Sequence, residues 1–581
     1  MEAADRLFAL IAPLYRDHPG WAAEQAAITT LLAEAEAARP ARLKAIDAER
    51  AADPAWFGAA DRIGYSFYVD RFAGTIDGIA DRLPWVQALG ATLLHPLPLF
   101  RAQSGDSDGG FAVADYRAVA PELGEVEDVA DLCDDLHDRG MALMIDCVLN
   151  HCARDHAWAQ AALAGDAEKR GYFRILPDEA AVAAWEASLD EVFPDTAPGN
   201  FTHEPAAGGW VWTSFYPFQW DLDWSNPAVF REMLGVLLFW ANQGVDAFRL
   251  DSAPYLWKRE GTNCRNLPET HVLVAALRAG VDAVAPGVVL LAEAIERIAE
   301  VLPYVEPADG SRACQMAYHN AAMAASWVAL ATGDASTLGR LIATTSLTRP
   351  DTAWLTYLRC HDDIIWSALA DLLPAETLDA ASRFFAGEGG GYAEGRRFQA
   401  RPGAAPSTVG MLASLVGGEG PAAVARYRLL LATLLALPGM PMLYMGDEIG
   451  LPNHVDLAAP DDARWLHRPP MDWPRADAAA EGDGPGAAFL AETSWLLGVR
   501  AALPAFHAKA QAIVHLVDPA LLVIERGEDA GAVLAIANFG EHALPLPAIA
   551  GWEDDVEDMI GPPGDGMIAA GAACWLVRGR G

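Results

Sequence analysis

Arg249 and Asp251 stand two residues apart in an apolar segment, Gly244 to Pro254, that reads G-V-D-A-F-R-L-D-S-A-P. In a strand, alternation sends both side chains to one face while Phe248 and Leu250 take the other. A guanidinium and a carboxylate are then held together at a strand end. A buried core ion pair would look the same, although taking two charges out of water costs roughly several kcal/mol per ion. Three more polar clusters end apolar runs: Asp146 with Asn150-His151, Glu293 after Val289-Leu-Leu-Ala, and His361-Asp362-Asp363 after Trp354 to Arg359. Singly, these could be a turn cap, a helix start or solvated aspartates. Jointly, a stability role gives no reason to gather acids, histidines and an arginine at corresponding strand ends.

Glycosyl transfer is the chemistry that wants several carboxylates on one rim. One ionised acid attacks the anomeric carbon and a second, kept protonated, donates to the leaving oxygen, with the two about 5–5.5 Å apart where configuration is retained. Asp251 suits the nucleophile because Arg249 beside it is expected to lower its pKa. Glu293, approached through an apolar run, suits the general acid because burial would raise its pKa. Asp362 would then grip sugar hydroxyls as the ring flattens. Metal binding competes, since His151, Cys152 and His156 lie close in sequence, but Arg249 would repel a cation and no H-x-x-x-H or C-x-x-C pattern is present. No metal and no cofactor are expected. Catalysis by a nucleophilic serine lacks a G-x-S-x-G elbow.

Positioning these residues calls for short apolar strands alternating with amphipathic helices, a pattern that begins at Ile63. Eight strands are expected: Ile63–Val69, Ala91–Pro96, Ala142–Val148, Gly244–Leu250, Val288–Ala292, Gln315–Tyr318, Trp354–Arg359 and Met442–Met445. They suggest an α/β fold, a closed (β/α)8 TIM barrel with loop-insert subdomains. The inserts run from about 152 to 225 and from about 364 to 421. The expected organisation is an N-terminal helical domain over residues 1–60, a catalytic barrel over 61–500 and a C-terminal antiparallel β domain, a β-sandwich, over 501–581.

The formal charge of −38 argues against nucleic acid or an anionic membrane as partner, since both need basic surface. Seven scattered cysteines indicate neither a disulfide framework nor a zinc knuckle. The start M-E-A-A-D-R-L-F lacks signal-peptide features, so a cytoplasmic location is expected.

The segments M-I-D-C-V-L-N-H, G-V-D-A-F-R-L-D, L-L-A-E-A and R-C-H-D-D resemble the conserved regions of the alpha-amylase superfamily, glycoside hydrolase family 13, in the same order. Within it, Y-V-D-R-F-A-G, S-D-G-G-F-A-V-A-D-Y-R, W-T-S-F-Y-P-F-Q-W-D-L and D-D-A-R-W-L-H-R-P look most like amylosucrases. That resemblance implies Asp251 as nucleophile, Glu293 as general acid/base and Asp362 as transition-state stabiliser. It also implies a glucose subsite lined by His151, Arg249 and His361, with Phe215 and Gln219 around the sugar and Phe111 as stacking platform. Asp363 belongs to the same substrate-binding set. A salt bridge between Asp108 and Arg464 would close the pocket's end. Asp190, Leu378 and Ser407 stand at or near positions where amylosucrases carry arginines, and Ile365 replaces a glycine. Pro254 and Arg259-Glu-Gly-Thr-Asn look more like trehalose synthases.

The expected function is a retaining α-glucoside-processing enzyme, amylosucrase-like, that takes glucose from sucrose or another small α-glucoside and passes it to an acceptor sugar, to α-glucan or to water. The alternatives are a sucrose hydrolase, or an α-glucosidase or transglucosidase acting on another disaccharide, such as a trehalose-synthase-like isomerase. From a different class stands a catalytically inactive sugar-binding barrel.

Overall fold

A computed structural model describes residues 2–579 except 400–402, 458–461, 529–530, 553–555 and 562–565. Asp461, which opens the D-D-A-R run, lies outside the described residues. Eight strands close a parallel barrel in chain order: β1 (Gly64–Tyr68), β2 (Leu93–Leu97), β3 (Ala142–Val148), β4 (Ala247–Asp251), β5 (Val289–Ala292), β6 (Met316–Tyr318), β7 (Ala353–Tyr357) and β8 (Met440–Tyr444). The (β/α)8 expectation is met, and all eight strands are buried along their whole length. Continuous apolar runs are what a parallel sheet covered on both faces requires.

The strand edges differ from expectation for local reasons. Gly244 takes φ +108° and lies before β4, closing the turn after helix Pro227–Asn242. Gln315 lies just outside β6, and its side-chain Oε1 accepts from Leu290 N–H (2.9 Å) and Arg278 Nη1 (3.2 Å), tying β5 to a barrel helix. β8 starts at Met440, two residues earlier than expected, and pairs there with Leu355 of β7.

Three helices, Glu2–Tyr15, Trp21–Ala38 and Ala41–Ala52, precede the barrel. The first two pack against the helices Pro227–Asn242 and Pro268–Val284, where Gly280 leaves room for Leu7: an added Cβ would lie 3.0 Å from the Leu7 side chain. Arg39 makes a buried pair with Asp47 (2.6 Å) and donates to Ala241 O (2.9 Å). Arg50 reaches Asp246, at the entry to β4, at 2.7 Å, where His137 also meets that carboxylate at 2.9 Å. The chain ends in a five-stranded antiparallel sheet whose central strands are Leu521–Arg526, Val533–Asn538 and Ala573–Arg578. Buried Arg526 joins this sheet to helix Pro421–Ala436 by donating to Ala436 O at 2.7 Å.

Two excursions leave the barrel, one between β3 and β4 and one between β7 and β8. In the first, His151–Ala153 pairs antiparallel with Gln219–Asp221, and a three-stranded sheet is built from residues 175–176, 201–204 and 209–212. Lys258 anchors it from outside, its ammonium 2.6 Å from Asp221 and 3.1 Å from Asn150 Oδ1. The second carries a hairpin of Arg396–Phe398 with Ser407–Val409. The seven cysteines are unpaired thiols. No helix among the described residues is long and apolar enough to cross a membrane.

Candidate active site

The rim at the C-terminal ends of the strands opens into a cavity of about 440 Å³. Its lining includes all thirteen residues expected from the sequence: Asp108, Phe111, His151, Phe215, Gln219, Arg249, Asp251, Pro254, Glu293, His361, Asp362, Asp363 and Arg464.

Register explains the centre. In the parallel pairing of β3 with β4, Arg249 stands opposite Asp146, and alternation puts Asp251 on the same face. Arg249 Nη1 therefore meets Asp146 Oδ1 at 2.6 Å and Asp251 Oδ1 at 2.7 Å. Its other terminal nitrogen is 3.6 Å from Asp362 and 3.9 Å from Glu293. One guanidinium thus faces four carboxylates. Burial works against ionisation of Asp146, but Arg249 and then His95, 3.2 Å away, hold its carboxyl down at about 2. It is the fixed anion that keeps Arg249 in place.

Glu293 follows β5, and its Oε2 accepts from the backbone N–H of Ser252 at 2.8 Å. The Ser252 hydroxyl donates to Asp251 Oδ2 at 2.9 Å. Burial raises the Glu293 carboxyl to about 8, against the pull of Arg249, with the negative charge of Asp251 adding to the rise. The rise is the one expected of a proton donor. For Asp251 the expectation needs correcting: burial outweighs Arg249, so its pKa lies above the ordinary carboxylate value. The order within the pair follows from donors. Asp251 receives hydrogen bonds from a guanidinium and a hydroxyl, Glu293 one from a backbone amide, so the first negative charge settles on Asp251.

Asp362 lies in the loop after β7, with His361 Nε2 at 3.3 Å, Arg464 at 3.5 Å and Arg468 at 3.7 Å from its oxygens. Phe111 stacks on the His361 ring (5.3 Å, 11°), and Phe215 packs on His151 at 5.1 Å. Neither ring nitrogen of His151 has a hydrogen-bond partner among the described residues, which leaves both for a ligand's hydroxyls. Burial also holds Asp363 above the ordinary range.

The expected bridge across the pocket's end takes another form. Arg464 is held by Asp462, at 2.7 and 2.8 Å, while Asp108 caps the N–H groups of Phe111 (2.9 Å) and Ala112 (3.3 Å) and accepts from Gln219 Nε2. The short spacing from Asp462 to Arg464 on one tight turn favours the local pair. Of the positions expected to have lost arginines, Ser407 lines the wall, as does Ile365, which was expected to replace a glycine, whereas Leu378 is buried in helix Ala375–Phe385. Asp190 lies 3.9 Å from Arg265.

Sequence reasoning missed four contributors. Arg265 lines the cavity near Tyr255, its guanidinium carbon 5.1 Å from that ring, and pairs with Glu296. Arg468 is fully buried beneath Asp362, bonded through Nε to His361 O at 2.9 Å. Gly109, at φ +100°, makes room for it: a Cβ there would stand 2.5 Å from Arg468 Nη1. Ser252 is the fourth. The R-W-L-H-R spacing could have flagged Arg468, but nothing local distinguished Arg265 from a surface arginine. His151, Cys152 and His156 do not converge, since His156 Nδ1 accepts from Trp158 N–H at 3.0 Å. Among the described residues, potential ligand atoms gather within 4.8 Å of one another at Cys360, His361 and Asp362. The three guanidiniums around Asp362 disfavour a cation there.

The alpha amylase catalytic-domain model matches residues 40–370. The trehalose synthase/amylase of Mycobacterium tuberculosis is 31% identical over 535 residues, spanning 85% of this chain and 84% of that protein. The trehalose synthase of Pimelobacter sp. is 34% identical over 423 residues, 71% of this chain and 70% of that one. The crystal structure of sucrose 6F-phosphate phosphorylase from Thermoanaerobacter thermosaccharolyticum superposes with a TM-score of 0.67 at 18% identity, covering 83% of this chain and 94% of that one, a likeness of fold. The chain belongs to the alpha-amylase family, glycoside hydrolase family 13. It is a glucoside-processing enzyme of that family, with a small sugar as substrate.

Proposed function

We propose that the protein is a retaining transglucosidase that works on a small α-linked glucoside. The observation that carries the reading is the joint anchoring of two carboxyls by Ser252: hydroxyl to Asp251, backbone N–H to Glu293, with Arg249 behind both. One residue bonded to both acids suits the short separation of a retaining mechanism. Asp251 attacks C1 of the glucose as protonated Glu293 gives its proton to the leaving oxygen. Deprotonated Glu293 then takes a proton from the incoming hydroxyl, which displaces Asp251. Asp362, backed by Arg468, binds ring hydroxyls. His151, His361, Arg249 and Gln219 supply further polar contacts, and Phe111, Phe215 and Pro254 the apolar walls.

The finer reading is isomerisation of a disaccharide: glucose leaves one hydroxyl of its partner sugar and returns to another before that sugar escapes. Two observations favour this over the amylosucrase-like reading. Relatives 31% and 34% identical over 85% and 71% of this chain are named as trehalose synthases. In addition, the two inserts meet beside the cavity, Gln399 Nε2 lying 3.3 Å from Thr196 Oγ1, an enclosure that would detain a released sugar. The amylosucrase-like motifs keep transfer from sucrose as the second reading. Incubation with maltose, trehalose and sucrose separately, with all products identified, tests both. Interconversion of maltose and trehalose with little free glucose is expected. Glucan or fructose formed from sucrose alone would favour the second reading, and failure to cleave even an activated aryl α-glucoside would leave a sugar-binding barrel.

A further inference from the structure

Ser252 follows Asp251 directly and takes φ +54°, ψ +32°, one of four non-glycine residues with positive φ among those described. This left-handed turn at the end of β4 aims the backbone N–H at Glu293 and folds the hydroxyl back onto Asp251. The two bonds are separable: any residue supplies the amide, but the hydroxyl is a property of the side chain. The backbone strain of a left-handed non-glycine residue is also of a kind that persists where surrounding structure enforces it.

We infer that Ser252 is a positioning residue that favours departure of glucose from Asp251 over its capture, so that little glucosyl-enzyme accumulates. This rests on the covalent reading above. In the first step the Asp251 oxygen bonds to C1, the C1–O bond to the leaving group breaks, and that oxygen takes the Glu293 proton. A hydroxyl donor binds a carboxylate more strongly than it binds an ester. The bond from Ser252 therefore weakens as Asp251 becomes an ester, which raises the first barrier. In the second step an acceptor hydroxyl, of water or a sugar, bonds to C1 and gives its proton to Glu293, while the C1–Asp251 bond breaks and its electron pair returns to the carboxylate. Here the same hydrogen bond strengthens on the way to the transition state, and the barrier falls. The argument holds whichever Asp251 oxygen forms the ester, because the charge of the whole carboxyl group changes.

Ser252→Ala keeps the amide and removes the hydroxyl, and Ser252→Gly does so while relieving the left-handed strain. With an activated aryl α-glucoside, both are expected to show a burst of aryl alcohol, a glucosyl adduct on the intact protein, and kcat and KM falling together by about tenfold, with kcat/KM held or raised. A structural role would instead lower kcat and kcat/KM together with no burst and no adduct, and that result overturns the inference. A Gly variant that behaves like the native enzyme while the Ala variant does not would also overturn it, by making strain the cause. Cleavage that survives in Asp251→Ala would sink the catalytic assignment itself, and the role of Ser252 with it.

Discussion

Nη1 of Arg249 stands 2.7 Å from Oδ1 of Asp251, two residues along the same strand, and that nitrogen also holds Asp146 at 2.6 Å. The contact is buried, so its removal strands two carboxylates. Arg249→Ala is expected to lose about 3–5 kcal/mol of stability, on the order of that for breaking a buried pair from one side. Activity should fall at least 100-fold. Arg249→Lys, with one nitrogen where two are used, should recover stability better than rate. Thermal melts and aryl-glucoside kinetics on both variants check this, and equal recovery of the two would contradict it.

The Glu293 carboxyl, raised to about 8 from an ordinary value of 4.5, makes a prediction about pH. The first catalytic step needs it protonated, so kcat/KM should fall as pH rises through about 8. The folded state keeps this proton where the unfolded chain has lost it. Its contribution therefore costs stability progressively between pH 4.5 and about 8 and is constant above that. Glu293→Gln abolishes the slope, so it should gain on the native enzyme in that window by on the order of a kcal/mol or more while losing activity. Denaturant midpoints measured across the window would show no divergence if the carboxyl were ordinary.

Arg265 lies on the cavity wall, paired with Glu296 and packed near Tyr255. A guanidinium beside a carboxylate offers donors and an acceptor to a diol, as a leaving or accepting sugar requires. Arg265→Leu should raise KM for a disaccharide about tenfold and change aryl-glucoside hydrolysis by less than about twofold. Equal effects on both substrates would place Arg265 outside the second sugar's subsite.

Lys258 fixes the first insert through its buried contact with Asp221, at 2.6 Å. Lys258→Met leaves that carboxylate unpaired and should lower stability by about 3–5 kcal/mol. Because Phe215 and Gln219 belong to the same insert, sugar affinity should fall as well. Adding Asp221→Asn to the same chain should return part of the lost melting temperature, since the uncompensated charge is then gone.

Much of this was legible in the sequence because strand alternation and register are rules of the backbone. Asp251, Arg249 and Glu293 could be placed on one rim from periodicity, while Asp108, Phe111, Phe215, Gln219 and Arg464, which meet them in one cavity, came from the family resemblance. What escaped depended on contacts between segments far apart in the chain. Arg468 reaches His361 across 107 positions, and Arg265 reaches Glu296 across 31. The expectation for Asp251 failed differently: proximity of Arg249 was readable, but the depth of burial that outweighs it is a property of the assembled fold. The bridge assigned to Asp108 and Arg464 gave way to Asp462, a partner two residues from Arg464.

β4 is tethered at both extremities. At the rim, Arg249 and Asp251 join it to β3 and the catalytic loops. At the opposite end, Asp246 is gripped by Arg50 from the third N-terminal helix and by His137. The helical preface thus reaches, through Arg50, the strand that carries the chemistry. Cutting the preface away would free Asp246 from Arg50 and also strip Leu7, Ile11 and Ile28 from the core they share with the barrel.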